Sequence, residues 1–200
     1  MSYLHWKRGA DLAGSLVFFL LFSPFLFILC LYLYFVQGRP LFYIQQRAGY
    51  LGKPFLIWKL RTLPVTYSDP QFTYQGVPAD FIFPSPDLSQ LAPIQRFLRR
   101  SGLDELPQLT QIVMGHMSFI GPRPEMIELS KCYSPQQQKR LNARPGLAGL
   151  AQVRGKEGIK YHQKIRYDLF YVQHMSWRLD CWIFLQTIHY FLRQVMKHEK

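Results

Sequence analysis

The chain has 200 residues, enough for one domain with a substantial hydrophobic core. Its formal net charge is +12, so an anionic partner is expected: nucleic acid, anionic lipid or a phosphorylated substrate. Its three widely spaced cysteines argue against a disulfide framework or a zinc site and favour a reducing compartment. The sequence also lacks a Walker A loop, a GxGxxG motif and an HExxH helix.

The first long feature is a run of 25 residues without a charge, 12–36. As one helix it would be roughly 37 Å long, enough to cross a hydrocarbon core of about 30 Å. A signal peptide fits poorly, because the apolar core is too long and no small-residue cleavage site follows it.

Ser23-Pro24 interrupts this run near its middle, and positive residues flank both ends. Pro24 removes one helical hydrogen bond, and the Ser23 hydroxyl could satisfy the carbonyl of Leu20 that is left free. Because positive flanks favour the cytoplasmic side, a helix-break-helix hairpin with both ends on one side fits the pattern. A kinked transmembrane helix fits the residues equally well.

Two short segments with strand-like alternation, 41–45 and 54–60, lie on either side of Gly49 and Gly52. This pattern predicts a small β-hairpin.

Lys59 and Arg61 lie where the second strand is expected to end. They form either a solvated edge or a phosphate-binding pair. Residues 64–93 then contain six of the 14 prolines, which predicts a long irregular loop.

The chain contains a single pair of adjacent acidic residues, Asp104-Glu105, with Arg99 before it and Arg123 after it. Two neighbouring carboxylates in a basic protein can bind a hard cation, or one of them can attack a phosphorus. The structural alternative is that Asp104 caps a helix whose first turn contains Pro107. The two roles are compatible, because a helix N-terminus also suits a phosphate.

Two stiff turns each carry an arginine next to proline: Arg123 within 121–124, and Arg144 at the start of 144–153. A fixed arginine can contact an anion at little cost in entropy. Between the turns, residues 126–141 are expected to be helical in two pieces, divided at Ser134-Pro135.

The last third of the chain supplies Asp168 as a polar candidate within the segment 165–172. Residues 176–197 mix aromatic and basic side chains without a span that could cross a bilayer. An amphipathic helix lying in the membrane interface fits this composition, and packing in the core is the alternative.

Together these segments resemble the monotopic polyprenyl-phosphate phosphoglycosyl transferases, a family of bacterial sugar transferases, in its minimal catalytic form. No single motif is decisive, but the motifs follow the family order over nearly the whole chain. They are Lys7-Arg8 with Asp11, Ser23-Pro24, Lys59-Leu60-Arg61-Thr62, SGLDELPQL at 101–109, GPRP at 121–124, RPGLAGLAQV at 144–153, and Asp168 with Tyr171-Val172.

The resemblance implies a helix-rich α+β fold. Residues 1–38 would form a re-entrant membrane hairpin broken at Ser23-Pro24. Residues 39–200 would form a cytoplasmic, membrane-associated catalytic domain with a small β-hairpin and amphipathic interfacial helices. The implied location is the cytoplasmic face of the bacterial inner membrane.

The resemblance also implies transfer of a sugar 1-phosphate from a UDP-sugar to polyprenyl (undecaprenyl) phosphate, with release of UMP, as the first membrane step of glycan assembly. Asp104 occupies the position of the family's nucleophile, Glu105 that of its partner, and the pair would hold Mg²⁺. Downstream glycosyltransferases are expected partners. The residues expected to bind substrate phosphate are Lys59, Arg61, Arg99, Arg123 and Arg144, with Asp168 in support.

Three positions depart from the family pattern: Leu63, His116 and Lys156 stand where methionine, aspartate and arginine are usual. None of them replaces a residue of the Asp104-Glu105 pair, which we call the dyad. A non-catalytic membrane scaffold that binds a nucleotide sugar or a glycosyltransferase is a second hypothesis. Nucleic-acid binding rests on net charge alone, and the apolar run argues against it.

Overall fold

The computed structural model describes residues 3–64, 80–82, 87–155 and 158–196. One long helix precedes a body of short helices and strands, which confirms the helix-rich α+β class. The elements in chain order are α1 (Tyr3–Gln37), β1 (Phe42–Ala48), β2 (Pro54–Leu60), α2 (Pro93–Ser101), α3 (Leu109–Val113), β3 (Ser118–Ile120), β4 (Glu125–Met126), α4 (Ile127–Lys131), α5 (Pro135–Gln138), β5 (Gly146–Ala148), α6 (Leu150–Gly155), α7 (Tyr161–Gln173) and α8 (Trp177–Met196).

Helix α1 is long and apolar enough to cross a membrane by length and composition. Its helical backbone continues through Ser23 and Pro24, so the expected break into two helices is not present as an interruption of the helix. The Ser23 hydroxyl donates to the Leu20 carbonyl at 3.2 Å, as expected for the group that Pro24 leaves free.

The two ends of α1 pack on the same body. Near its start, the Arg8 guanidinium donates to two backbone carbonyls at the end of α3. Near its end, Leu29 and Leu33 are buried in a cluster with side chains of β2 and α2. Between these contacts most apolar side chains are exposed, including Leu20 and Phe27.

The predicted β-hairpin is confirmed. Strands β1 and β2 are antiparallel, with Phe42 opposite Leu60 and Ala48 opposite Pro54. Their turn places Gly52 at φ 75°, a conformation that favours glycine. Strand β4 pairs with the other edge of β1, giving the order β2-β1-β4.

The two stiff turns lie directly against each other beside the parallel pair β3–β5. The Gly121 amide donates to the Ala148 carbonyl, and the Gly146 amide donates to the Pro122 carbonyl, both at 2.9 Å. A Cβ on Gly146 would lie 2.1 Å from the Gly121 nitrogen. Glycine is therefore required where the two backbones meet, and this packing fixes the segment that carries Arg123.

The helices predicted after the dyad are also confirmed. Helices α4 and α5 divide at Ser134, whose side chain caps α5 by accepting from the Gln137 amide at 3.3 Å. Helix α8 packs partly in the core, because Ile183 is buried, whereas Trp177 and Leu185 are more than 60% exposed. Its place in the membrane interface stays a prediction.

Much of the predicted long loop, residues 65–79 and 83–86, lies outside the described residues. The described part contributes an isolated bridge between Ile82 and Lys160. The division into a membrane hairpin and a catalytic domain at residue 38 stays a prediction.

Candidate active site

The Asp104-Glu105 pair lies on a 3₁₀ turn, Leu103–Gln108, that directly follows α2. Gly102 ends α2 with a φ of 69° and reverses the chain into this turn. The interpretation of Asp104 as a helix N-cap is wrong, because Gly102 occupies that position and no side chain caps the turn. The local structure therefore gives the Asp104 carboxylate no capping role.

Glu105 is held by two cations that come from different parts of the chain. Lys59 Nζ, from β2, lies 2.5 Å from Glu105 Oε1. Arg123 Nη2, from the turn between β3 and β4, lies 2.8 Å from the same oxygen. The Glu105 carboxylate thus joins the hairpin, the dyad turn and the rigid GPRP turn.

Asp104 has a different environment. Its side chain is buried, with 6% exposed, yet no hydrogen bond or ion pair from the described residues ends on its carboxylate. Arg99, from α2, lines the same cavity and donates to the Thr62 hydroxyl at 3.3 Å. Buried carboxylates are normally paired, so an unengaged one among cations indicates a functional group.

The charges separate the pKa values of the two acids. Burial, and then the neighbouring Glu105 charge, raise the pKa of Asp104 to about 6 against the opposing effect of Lys59, Arg99 and Arg123. Burial also disfavours the Glu105 carboxylate, but Arg123 and Lys59 outweigh it and lower the pKa of Glu105 to about 2. At neutral pH both groups are ionised, and Asp104 is the more basic of the two.

The dyad opens into a cavity of about 630 Å³. Lys59, Arg99 and Arg123 line it on the charged side. Its other walls come from the dyad turn, from β5 and α6, and from the second half of α8 through Thr187, Tyr190 and Phe191. The sequence predicted α8 as an interfacial helix but held no local signal that this half borders the dyad.

At the dyad, the described side chains supply two carboxylates to a candidate metal site. Within the described ranges, no cluster of three or more His, Cys, Asp or Glu side chains is placed to bind a metal. Mg²⁺ is commonly bound by one or two carboxylates together with substrate phosphates and water. The unengaged Asp104 oxygens fit this mode better than Glu105, whose Oε1 already contacts two cations.

Two predicted phosphate-binding residues are not brought to the dyad. Arg61 donates to the backbone carbonyls of Gln37, the last residue of α1, and of Pro40, which follows that helix. Arg144 donates to the Gly115 carbonyl at 2.9 Å, and its Cζ lies over the Tyr50 ring, 5.6 Å from the ring centre. Both guanidinium groups therefore bind the protein's own main chain, and neither lines the dyad cavity.

Asp168 is fully buried and does not line the dyad cavity. Its Oδ2 accepts a hydrogen bond from Arg140 Nε at 2.7 Å. It belongs to what we call the buried ion cluster: Glu125, Arg140, Lys164 and Asp168. Lys164 Nζ lies 2.8 Å from Glu125 Oε2. Sequence reasoning missed the other three members, because no motif or spacing marks side chains that meet only after folding.

A larger cavity of about 910 Å³ lies between the start of α1 and α8. It is mainly apolar, and its carboxylate Asp180 accepts hydrogen bonds from Tyr3, Lys7 and Tyr171. Its other carboxylate, Asp11, accepts a hydrogen bond from the Phe119 amide, and the free cysteine Cys181 also lines it.

Of the three departures from the family pattern, His116 contacts Gln111 Oε1 through Nδ1 at 2.9 Å and does not line the dyad cavity. Leu63 is a half-buried residue that follows β2. Lys156 lies outside the described residues.

The chain matches a known protein family over nearly its whole length. A family model described as bacterial sugar transferase matches residues 2–194. The chain belongs to the bacterial sugar transferase family. This match confirms the resemblance seen in the motifs and the prediction that the protein is an enzyme of this class.

Several named proteins resemble this sugar transferase. The UDP-glucose:undecaprenyl-phosphate glucose-1-phosphate transferase of Caulobacter vibrioides is 35% identical over 190 residues, covering 91% of this chain and 68% of that protein. An uncharacterized sugar transferase of Bacillus subtilis, EpsL, is 33% identical over 76% of this chain and 69% of its own length. The Escherichia coli protein with the same name as the Caulobacter enzyme is 30% identical, and the match covers 39% of it.

Proposed function

We propose that this sugar transferase moves a sugar 1-phosphate from a UDP-sugar to polyprenyl phosphate and releases UMP. The observation that carries the proposal is the buried, unengaged Asp104 carboxylate in a cavity lined by Lys59, Arg99 and Arg123. The names of the Caulobacter and Escherichia coli relatives, which specify UDP-glucose and undecaprenyl phosphate, support the two substrate classes.

In the first step, an Asp104 carboxylate oxygen attacks the phosphorus that bears the sugar. The bond from this phosphorus to the bridging oxygen breaks, and UMP leaves with the electron pair. The product is an acyl phosphate that links the sugar phosphate to Asp104. With a pKa of about 6, Asp104 is mostly ionised at neutral pH and remains a stronger base than an ordinary aspartate.

In the second step, an oxygen of the polyprenyl phosphate attacks the same phosphorus. The acyl-phosphate bond breaks and restores the Asp104 carboxylate, and polyprenyl-diphosphate-sugar leaves. Dividing the transfer in this way lets UMP depart before the lipid substrate reacts.

Glu105 has a positioning role in this scheme. Its carboxylate holds Lys59 and Arg123 at the edge of the cavity, where they can face the substrate phosphates. Arg99 adds a guanidinium from α2. Guanidinium groups suit phosphate because they can donate two parallel hydrogen bonds.

Mg²⁺ is the proposed cofactor, held through Asp104 and the substrate diphosphate, with Glu105 as a secondary candidate. When bound, it would neutralise charge that develops on the leaving phosphate. The remaining work falls to the protein's own side chains, which bind the phosphates and keep the nucleophile buried.

We also propose that α1 enters and leaves the cytoplasmic leaflet of the bacterial inner membrane on the same side. The support is that both ends of α1 pack on one body while its middle is exposed and apolar. Cysteines introduced at Leu4 and Arg39 should both react with an impermeant reagent applied from the cytoplasmic side. Labelling from opposite sides would instead establish a helix that crosses the bilayer.

The reaction is tested by measuring UMP release from a panel of UDP-sugars by purified protein with Mg²⁺ and polyprenyl phosphate. Asp104→Asn should lower the rate by at least about 1,000-fold, because the nucleophile is lost. Glu128→Gln is the matched control, since it neutralises an exposed carboxylate on α4. UMP release that survives in Asp104→Asn would contradict the assignment of the nucleophile.

The scaffold hypothesis makes the opposite prediction. A scaffold would bind a UDP-sugar in a calorimetric titration but release no UMP with any donor or lipid. The free carboxylate at Asp104 favours the enzyme, because a binding protein gains nothing from burying an unpaired charge.

A further inference from the structure

We infer that Arg140 is a positioning residue for the catalytic cavity: it holds the main chain at Arg123 so that the Arg123 guanidinium reaches Glu105. The kinetic part of this inference rests on the proposed function. The geometric part stands on contacts within the buried ion cluster and on the turn that joins β3 to β4.

Arg140 is 2% exposed, and each of its guanidinium nitrogens has a partner. Nε donates to Asp168 Oδ2 at 2.7 Å, and Nη1 donates to the Tyr133 hydroxyl at 3.0 Å. Nη2 donates to the Arg123 carbonyl at 2.6 Å. Arg140 therefore joins the buried ion cluster to the residue whose side chain contacts the catalytic dyad.

The turn at 121–124 needs such a contact. Pro122 and Pro124 have no amide hydrogen, so neither can stabilise the turn by donating a backbone hydrogen bond. The Gly146 amide holds the Pro122 carbonyl, and Arg140 holds the Arg123 carbonyl. Without Arg140, the main chain at Arg123 would lose the hydrogen bond that fixes this carbonyl.

The chemistry explains why arginine is suited to this position. A planar guanidinium can satisfy three acceptors in fixed directions, whereas an ammonium group is a compact charge on a flexible stem. Glu125 and Asp168 balance the buried charges of Arg140 and Lys164. Lysine at 140 would keep this charge balance but could not hold Asp168, Tyr133 and the Arg123 carbonyl with the same geometry.

A double-mutant cycle on UMP release tests the inference. Arg140→Lys should lower kcat by about tenfold or more in the wild-type background, because small misplacements of a catalytic group cost large factors in rate. In an Arg123→Gln background, the same change should lower kcat by less than about threefold, since no guanidinium remains to be positioned. Equal losses in the two backgrounds would overturn the inference.

A second cycle separates positioning from loss of folded protein. Lys164→Gln is the control, because it disturbs Glu125 in the same cluster while leaving the Arg140 contact to Arg123. Lys164→Gln should lower stability but change kcat by the same factor in the wild-type and Arg123→Gln backgrounds. A dependence on Arg123 as large as that of Arg140→Lys would contradict positioning.

A third readout needs neither substrate nor activity. Arg123→Gln should lower the melting temperature of the wild type more than that of Arg140→Lys, because the ion pair with Glu105 is already impaired in the latter. If Arg140→Lys does not fold, Asp168→Ala serves in its place, since it removes the acceptor of the Arg140 Nε hydrogen bond. Equal shifts in melting temperature would overturn the inference whether or not any UDP-sugar is a substrate. Failure of every UDP-sugar to react would defeat the proposed function instead.

Discussion

The molecule contains two groups of buried charge built from the same kinds of side chain. At the dyad, Asp104 and Glu105 line an open cavity together with Lys59, Arg99 and Arg123. In the buried ion cluster, Glu125 and Asp168 pair directly with Lys164 and Arg140. The two groups share a boundary, because Arg123 contacts Glu105 through its side chain and Arg140 through its carbonyl.

The difference lies in what is left unengaged. Each acid of the buried ion cluster contacts a cation within 3 Å, whereas the Asp104 carboxylate has no such contact among the described residues. Pairing alone does not decide the pKa values. Lys164 and Arg140 lower the pKa of Glu125 to about 2, whereas burial raises the pKa of Asp168 despite its contact with Arg140, and raises that of Asp104 to about 6. The Glu125 charge therefore stabilises the fold at neutral pH, whereas the Asp104 charge is kept at a cost in stability.

Glu125→Gln should show the largest effect on stability. The lowered pKa of Glu125, from 4.5 to about 2, corresponds to about 3 kcal/mol of stability at neutral pH. This contribution is present above pH 4.5 and is lost as the pH falls toward 2. The variant should therefore unfold about 6–12 °C below the wild type at pH 7. Equal melting temperatures for Glu125→Gln and the wild type at pH 7 would contradict the stabilising role of this cluster.

Asp104→Asn should change stability in the opposite direction. The raised pKa of Asp104, from 3.8 to about 6, means that the folded protein loses about 3 kcal/mol as the pH rises through this range. A neutral asparagine avoids that loss. The variant should be inactive yet melt above the wild type at pH 7, with the difference vanishing below pH 4. A lower melting temperature at pH 7 would show that the Asp104 charge is compensated in the fold.

Glu105→Gln should sharpen the contrast within the dyad itself. Removing the Glu105 charge takes away one cause of the raised Asp104 pKa and frees two cations beside it. The acidic limb of kcat/KM for UMP release, expected near pH 6 in the wild type, should move to lower pH. The maximal rate should fall by roughly tenfold to 100-fold as Lys59 and Arg123 lose their anchor. Glu128→Gln should leave the limb in place, and a limb that moves upward in Glu105→Gln would contradict the proposed electrostatics.

Patterns within short stretches of sequence predicted much of the fold. The charge-free run, the alternation around Gly49 and Gly52 and the break at Ser134 each depend on neighbours in sequence, and the structure contains the helix, the hairpin and the two short helices they predict. The adjacent acids at Asp104-Glu105 indicated the candidate site for the same reason.

Contacts between distant segments could not be predicted in this way. Lys59 and Arg123 were identified as cations, but their meeting on one oxygen of Glu105 depends on β2 and the GPRP turn packing together. Arg61 and Arg144 had the same local features, yet their guanidinium groups bind backbone carbonyls elsewhere. Arg140 had no local feature at all, because its role depends on four segments that meet only in the folded protein.

The central claim, that Asp104 forms a covalent bond to the sugar phosphate, is tested most directly by isotope exchange. Labelled UMP is incubated with an accepted UDP-sugar, Mg²⁺ and protein, with polyprenyl phosphate left out. Reversible formation of the Asp104 intermediate predicts label in the UDP-sugar for the wild type and for Glu128→Gln, and none for Asp104→Asn. Exchange that requires the lipid phosphate, or that persists in Asp104→Asn, would contradict the account.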